Sequence, residues 1–231
     1  MAIVSVVAAC GSAADQSAQA RKQATATDAP SPAVPATGGP GYSAALSARL
    51  VTPESLPPGF TVEIATTMAL DAGDRRPDVG AACAPSMIPL LSARRLTGSP
   101  SATAAATLSF DAGPDDLWVG TEVLRTYTDD GARRAMADLR TFIGGCPTLV
   151  LPDQDGSYRF AVAAGPRLGD DSLHLIQATT SRLDTLEWDV ILVRAGTSLV
   201  VVQSEGNKPG GVEHLNRVAE AAVHRFQTTG S

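Results

Sequence analysis

The stretch that decides the fold is Thr185–Gln203, which reads TLEWDVILVRAGTSLVVVQ. Two runs rich in Val, Ile and Leu, Thr185–Arg194 and Ser198–Gln203, are separated there by Ala195-Gly196-Thr197. Short runs of β-branched residues favour strands, and so short a connection joins strands antiparallel, because a parallel pair needs a crossover of a dozen or more residues. The stretch therefore predicts an antiparallel hairpin.

Further strands are predicted on the N-terminal side of this hairpin, where apolar and polar residues alternate. They are Thr61–Thr67, Thr103–Phe110, Leu117–Tyr127, Ser157–Ala164 and Leu173–Thr180. The turn-forming run Asp153-Gln154-Asp155-Gly156 predicts another short connection. Several strands linked in this way predict a sheet that is largely antiparallel.

Two amphipathic helices interrupt and close the run of strands. The first follows Thr128-Asp129-Asp130, whose oxygens are expected to cap it, and ends at Gly144-Gly145. Its apolar stripe is Ala132, Ala135, Met136, Leu139, Phe142 and Ile143. The stripe of the second helix is Val212, Leu215, Val218, Ala219, Ala222, Val223 and Phe226.

Shorter helices are predicted at Ser43–Leu50 and from Ala84 to about Arg95. This order of elements predicts one α+β domain over 42–231, with a largely antiparallel sheet and flanking helices. Helices on one side of the sheet would leave its other face, or a cleft beside it, free for a ligand.

The composition argues against several functional classes. Eighteen Lys and Arg against 24 Asp and Glu give a net charge of −6, whereas a nucleic-acid binder needs a basic surface. His174, His214 and His224 have no metal-binding spacing, and no GxSxG nucleophile motif occurs. We therefore predict no metal, no cofactor, no nucleic acid and no catalytic residue. The aspartates Asp111, Asp115, Asp116, Asp153 and Asp155 lack the register of a calcium loop and are interpreted as turn formers.

The N-terminal residues differ from the rest of the chain. Residues 1–9 (MAIVSVVAA) are typical of the end of a secretory signal peptide without its basic start, so we expect the true translation start to lie upstream. Val7-Ala8-Ala9-Cys10 is similar to a bacterial lipobox, in which the cysteine receives fatty acyl chains such as palmitate. Residues 10–41 are rich in Ala, Ser and Pro and predict a flexible tether.

These features predict a lipid anchor at Cys10 and a location on the outer face of the cytoplasmic membrane. The alternative is that residues 1–9 form a buried first strand and that Cys10 is incidental. Once Cys10 carries the lipid, Cys83 and Cys146 remain, and an oxidising compartment usually bridges two such cysteines. The bridge would close a loop of about 63 residues, worth about 4 kcal/mol. Its alternative is two unpaired buried thiols.

Four segments together resemble a known family. They are LVTPESLPPGF (Leu50–Phe60), Cys83 at a predicted helix start, TYTDDGARRAMADLRTFIGGC (Thr126–Cys146) and LGDDSLHL (Leu168–Leu175), and they accompany the lipobox and the tether. They are similar to the actinobacterial sensor-domain lipoproteins, secreted relatives of the extracytoplasmic sensor domain of receptor Ser/Thr kinases. The resemblance implies an antiparallel sheet with flanking helices, a cleft for an unidentified small ligand, and no catalytic activity. Members often carry two disulfides, whereas this chain can form one.

The candidate ligand contacts are the scarce large aromatics Trp118, Tyr127 and Trp188, with Arg125 as a charged contact. Trp188 alternates with Leu186 and Val190, which favours a core position instead. The stretch Gly169-Asp170-Asp171-Ser172 is interpreted as a turn ordered by side-chain hydrogen bonds, with lining of a cleft as the alternative.

The predicted function is a lipid-anchored extracytoplasmic ligand-binding or sensor domain without catalytic activity. Its expected partners are the membrane, through the lipid, and an unidentified small ligand or envelope protein. Three alternatives stay open: a structural or adaptor lipoprotein, an enzyme of unrecognised mechanism, and a lipid carrier with a deep apolar cavity.

Overall fold

A mixed but almost wholly antiparallel sheet runs through the computed structural model, which describes residues 41–65, 83, 100–113, 116–151, 156–181, 184–205 and 210–229. The described strands are β1 (Gly41–Tyr42), β2 (Phe60–Ile64), β3 (Ala102–Asp111), β4 (Leu117–Thr126), β5 (Thr148–Leu151), β6 (Gly156–Ala163), β7 (Asp171–Thr180), β8 (Thr185–Ala195) and β9 (Ser198–Glu205). Their order is β1-β3-β4-β9-β8-β7-β6-β5, and β2 also pairs with β3. Apart from the parallel pair β1 and β3, the described pairs are antiparallel.

The helices are α1 (Ala44–Ser47), a 3-10 turn at Pro53–Ser55, α2 (Gly131–Gly145) and α3 (Gly211–Thr228). The α+β class and the β8–β9 hairpin are therefore confirmed. Sequence reasoning missed β1 and β5, since strands of two and four residues are too short to show a period. Residues 1–40 and the predicted helix from Ala84 to Arg95 lie outside the described residues, so the signal remnant, the anchor at Cys10 and the tether stay predictions.

One face of the sheet is covered by α2, and we call it the α2 face. All six apolar residues predicted for this helix are buried. They pack on alternate sheet residues, which are Val123, Leu149, Phe160, Leu173, Leu175, Val190, Leu192, Leu199 and Val201. The periodicity of the helix therefore identified its buried stripe correctly.

The opposite face, the α3 face, is covered by α3 and by the segment Ser43–Phe60. Apolar residues of α3 pack there on Leu124, Ile191, Val193, Val200 and Val202. The expectation that helices cover one side of the sheet is thus wrong, because α2 and α3 lie on opposite faces. Sheets covered on both faces have unbroken apolar strands, as in Val190–Val193 and Leu199–Val202, which are buried throughout.

Two local predictions about the helices are also wrong. Asp130 is the N-cap of α2, but no side-chain capping bond forms, because its carboxylate pairs with Arg133 and Arg134 instead. Val212 was placed on the buried stripe of α3, yet it is 46% exposed in the first turn of that helix. The other six residues of this stripe are buried.

A disulfide joins Cys83 to Cys146, with Cα atoms 5.7 Å apart. Cys146 directly follows α2, so the bridge fastens the C-terminal end of this helix to a point 63 residues earlier in the chain. The predicted pairing is confirmed, and the alternative of two unpaired thiols is wrong.

Candidate functional site

A cavity of about 160 Å³ lies where β6 passes into β7. The connection between these strands, residues 164–170, forms one wall, and we call it the 164–170 loop. The cavity is lined by Arg140, Val162, Ala163, Gly165, Pro166, Ser172, Leu173, His174 and Ile191. An adjoining cavity of about 310 Å³ shares Ser172 and is lined by Arg167–Ser172. The Gly-Asp-Asp-Ser stretch therefore does line a cleft.

The same stretch also orders the turn, so both of its predicted roles are found. The Asp170 carboxylate accepts hydrogen bonds from the Gly196 amide at 2.8 Å and from the Arg194 guanidinium at 3.0 Å. The Ser172 hydroxyl donates to the Pro166 carbonyl at 2.9 Å. Gly169 has φ +58°, and a Cβ there would lie 2.4 Å from the Arg194 carbonyl oxygen, so the turn needs glycine at this position.

Arg140 connects α2 to the start of β7. Its guanidinium binds both carboxylate oxygens of Asp171, at 2.8 and 2.7 Å, and also donates to the Ser172 carbonyl at 3.2 Å. Hydrogen bonding to Arg140 lowers the pKa of Asp171. This bidentate pair fixes the geometry of the cavity mouth, although its exposure limits its energy.

His174 and Asp189 form the most buried polar pair at the cavity. His174 Nε2 lies 2.7 Å from Asp189 Oδ1, and Nδ1 lies 3.2 Å from the Ala164 carbonyl oxygen. His174 is 6% exposed and Asp189 is 7% exposed. The hydrogen bond to Asp189 raises the pKa of His174 above its ordinary value of 6.5, against the opposing effect of burial.

The residue types of a serine-hydrolase triad thus meet at this cavity, but they are not connected as one. A triad needs one imidazole nitrogen to take the serine proton and the other to bind the aspartate. Here the second nitrogen of His174 faces the Ala164 carbonyl, and the Ser172 hydroxyl donates to Pro166. The arrangement holds the 164–170 loop in place and leaves Ser172 without a general base.

The four predicted ligand contacts do not come together. Trp118 is buried on the α3 face beside Phe60 and Phe110, whereas Arg125 and Tyr127 are buried on the α2 face. Trp188 is half-buried on the same side of β8 as Val190. None of the four lines either cavity described above. Their role in ligand binding stays a prediction.

Of the five aspartates interpreted as turn formers, Asp111 and Asp116 are described, whereas Asp115, Asp153 and Asp155 lie outside the described residues. Asp111 accepts from the Gly113 amide at 3.0 Å, and Asp116 pairs with His214 at 3.0 Å. Across the described part of the chain, no group of three or more His, Cys, Asp or Glu side chains could hold a metal ion. Within those same residues, no helix is long and apolar enough to cross a bilayer.

A second buried titratable group, Glu122, lies in β4 on the α3 face and was not identified from the sequence. Its Oε2 accepts a hydrogen bond from the Val51 amide at 2.9 Å, while Oε1 is buried without a partner among the described residues. Burial raises the pKa of Glu122 to about 8. The alternation of Glu122 with Leu124 in a predicted strand was the available signal.

The fold and the cavity together define an α+β domain with a polar cavity at one end of its sheet. No family model matches the chain, and no curated protein matches it. Among solved structures, it is similar to an uncharacterised protein from Mycobacterium smegmatis (Rv0999 ortholog), with 14% identity over 76% of this chain and 93% of that chain and a TM-score of 0.43.

A second similar structure is the extracellular domain of PknH from Mycobacterium tuberculosis. It is 15% identical, covers 78% of this chain and 94% of that chain, and has a TM-score of 0.44. Values this low carry no inference about function.

Proposed function

We propose that this chain is a lipid-anchored, extracytoplasmic domain that binds a small ligand and catalyses no reaction. The observation that carries the proposal is the cavity of about 160 Å³ beside the 164–170 loop, whose lining combines polar side chains such as Arg140, Ser172 and His174 with apolar ones. A cavity of about 150 Å³ accommodates a molecule the size of benzene. The expected ligand is therefore small, with both polar and apolar groups.

The hydrogen bonding at the cavity supports a role without catalysis. Ser172, His174 and Arg140 each bind a carbonyl or carboxylate of the protein itself. A nucleophile needs an adjacent base, and a general base needs a free nitrogen or oxygen directed at the substrate. These side chains therefore support the shape of the cavity and are not arranged for chemistry.

Two observations support the extracytoplasmic location. The Cys83–Cys146 disulfide is of the kind that persists in oxidising compartments and is rare in the cytosol. The lipobox-like Val7–Cys10 and the Ala/Ser/Pro-rich residues 10–41 fit a signal, an anchor and a tether. Two or more acyl chains on one cysteine give stable membrane binding.

The ligand is tested by native mass spectrometry of the protein released from its own membrane. We expect a small molecule to co-purify with the wild type and with Ala161→Phe, an exposed position on β6, and to be lost in Ala163→Phe, which fills the cavity. The same spectrum reports the acyl mass on Cys10, which Cys10→Ser should remove. Equal occupancy in the two phenylalanine variants, or none in the wild type, would contradict the proposed site.

The enzyme alternative has its own discriminating measurement. A panel of ester, peptide and glycan substrates should show no turnover above background with the wild type. Turnover that Ser172→Ala abolishes would establish a hydrolase and overturn the non-catalytic assignment.

A further inference from the structure

We propose that protonated His174 is a latch that holds the 164–170 loop against the cavity, and that loss of its proton releases the loop. The inference rests on the proposed function, because it proposes that pH regulates the wall of the same ligand cavity. Its basis is the placement of both ring nitrogens opposite oxygen acceptors.

Both nitrogens of His174 lie within hydrogen-bond distance of oxygen acceptors, an arrangement that the doubly protonated ring satisfies. The Ala164 carbonyl and the Asp189 carboxylate are both acceptors, at 3.2 and 2.7 Å from Nδ1 and Nε2. A neutral imidazole has one N–H and can donate to only one of them, whereas the imidazolium donates to both. A neutral ring would therefore leave one of these two contacts without a hydrogen bond from His174.

Loss of the proton acts on the loop rather than on Asp189. A charged acceptor makes the stronger hydrogen bond, so the remaining N–H stays on Nε2 with the Asp189 carboxylate. The Nδ1 lone pair then faces the lone pairs of the Ala164 carbonyl, and this contact is lost. Gly165 lies directly on His174, since a Cβ at Gly165 would be 2.7 Å from the His174 Cβ. The released segment is therefore the one that forms the cavity wall.

The other contacts of the loop do not change over the same pH range. Asp189 on β8 contacts His174 and Arg140 on α2 lines the same cavity, whereas Arg167, Asp170 and Asp171 line the adjoining cavity. Asp170 is paired with Arg194, and Asp171 is paired with Arg140, whose hydrogen bonds lower the pKa of Asp171. The Ser172–Pro166 bond is neutral. His174 is thus the contact of the 164–170 loop that a rise in pH through the imidazole pKa can break.

The test is an NMR titration of the free protein from pH 5.5 to 9. The imidazole of His174 should titrate with a midpoint above 6.5. Over the same interval, the exchange protection of the Leu168 and Asp170 amides, corrected for the intrinsic rate, should fall about tenfold, the equivalent of one lost hydrogen bond. Amides of Val200 and Val201 in β9 report global opening, and the loop amides should lose protection beyond any change measured at these two.

Two variants sharpen the test. His174→Gln should remove the pH dependence of loop protection, and His224→Gln, an exposed position on α3, should leave it intact. If His174→Gln does not fold, the wild type alone provides the test. The midpoint of the His174 titration and the midpoint of the loss of loop protection should coincide, and midpoints more than one pH unit apart would overturn the latch. The titration uses ligand-free protein, so it is independent of the mass-spectrometry test. A pH-dependent loop with no co-purifying ligand would contradict the proposed function alone, whereas a co-purifying ligand with a pH-independent loop would contradict the latch alone.

Discussion

Glu122 and His174 both lie on the α3 face, and both keep a proton at a pH where the free side chain would lose it, but the causes differ. The proton on Glu122 removes a charge from the middle of an apolar cluster, so burial raises the pKa to about 8. The proton on His174 creates a charge, and the Asp189 carboxylate stabilises it at 2.7 Å. One group is stable because it is neutral, and the other because it is paired.

The two sites also hold different parts of the chain. Glu122 accepts the Val51 amide and so anchors the segment Ser43–Phe60, which packs on α3 through Arg49 and Phe226, with the guanidinium 3.6 Å from the ring centroid. His174 holds only the 164–170 loop. Ionising Glu122 leaves a buried charge in the core and is therefore expected to affect global stability, whereas deprotonating His174 acts locally.

The largest expected effect is the pH dependence caused by Glu122. The pKa of Glu122 is 4.5 ordinarily and about 8 in the folded chain. Below pH 4.5 the carboxyl is therefore protonated in both the folded and the unfolded chain, and between pH 4.5 and 8 it is protonated only in the folded chain. Unfolding then releases a proton, and the free energy of unfolding falls by about 1.4 kcal/mol per pH unit before it levels off above pH 8. Urea unfolding of the wild type and Glu122→Gln at pH 5, 6, 7 and 8 measures the difference.

Glu122→Gln keeps an acceptor for the Val51 amide and cannot ionise, so its curve should lack this slope. The exposed Glu213→Gln is the control and should run parallel to the wild type. Equal slopes for the wild type and Glu122→Gln would show that the carboxyl is hydrated in the folded protein.

Removal of the disulfide should lower the free energy of unfolding by slightly less than ionisation of Glu122 does, and this loss should be the same at every pH. The Cys83→Ser/Cys146→Ser pair frees a loop of 63 residues, which corresponds to about 4 kcal/mol in the chain-entropy account. Thermal unfolding at pH 6 and pH 8 should show the same loss at both values. A loss that differs between the two pH values by more than 1 kcal/mol would mean that the bridge is coupled to Glu122 or His174.

Asp189→Asn should have a smaller and pH-dependent effect. It removes the charged partner of His174, so the histidine should titrate at lower pH and the domain should lose about 2 kcal/mol at pH 6. The cost should shrink at higher pH, as the wild-type imidazole loses its proton. Urea unfolding at the two pH values measures it, and a pH-independent cost would show that the pair is not an ion pair.

The smallest effect is expected for Arg140→Gln. The Arg140–Asp171 pair is partly exposed, so its loss should cost less than about 1 kcal/mol. The pKa of Asp171 should return towards its ordinary value, which carbon-detected NMR of the carboxyl group can follow. A cost above 2 kcal/mol would place this pair with the buried groups rather than on the surface.

Local patterns were sufficient for part of the candidate site. The Gly-Asp-Asp-Ser stretch was identified as a turn or a cleft wall because glycine and short polar side chains have specific turn geometries. The strand position of His174 also followed from its flanking leucines. The hydrogen-bond partners of the buried and charged groups did not follow from local patterns. Asp189 lies 15 residues from His174, Arg140 lies 31 residues from Asp171, and Val51 lies 71 residues from Glu122.

By itself, the sequence determined the α+β class, the β8–β9 hairpin, the buried stripes of two helices and the cysteines available for a bridge. These features depend on local periodicity and short connections, which can be recognised within about ten to twenty residues. The tertiary structure alone decided that both faces of the sheet are covered, that the aromatic candidates lie in the core or away from the cavity, and that His174, Asp189 and Arg140 converge there. The physical reason is that burial and hydrogen-bond partners depend on strand register and helix packing, which bring together residues far apart along the chain.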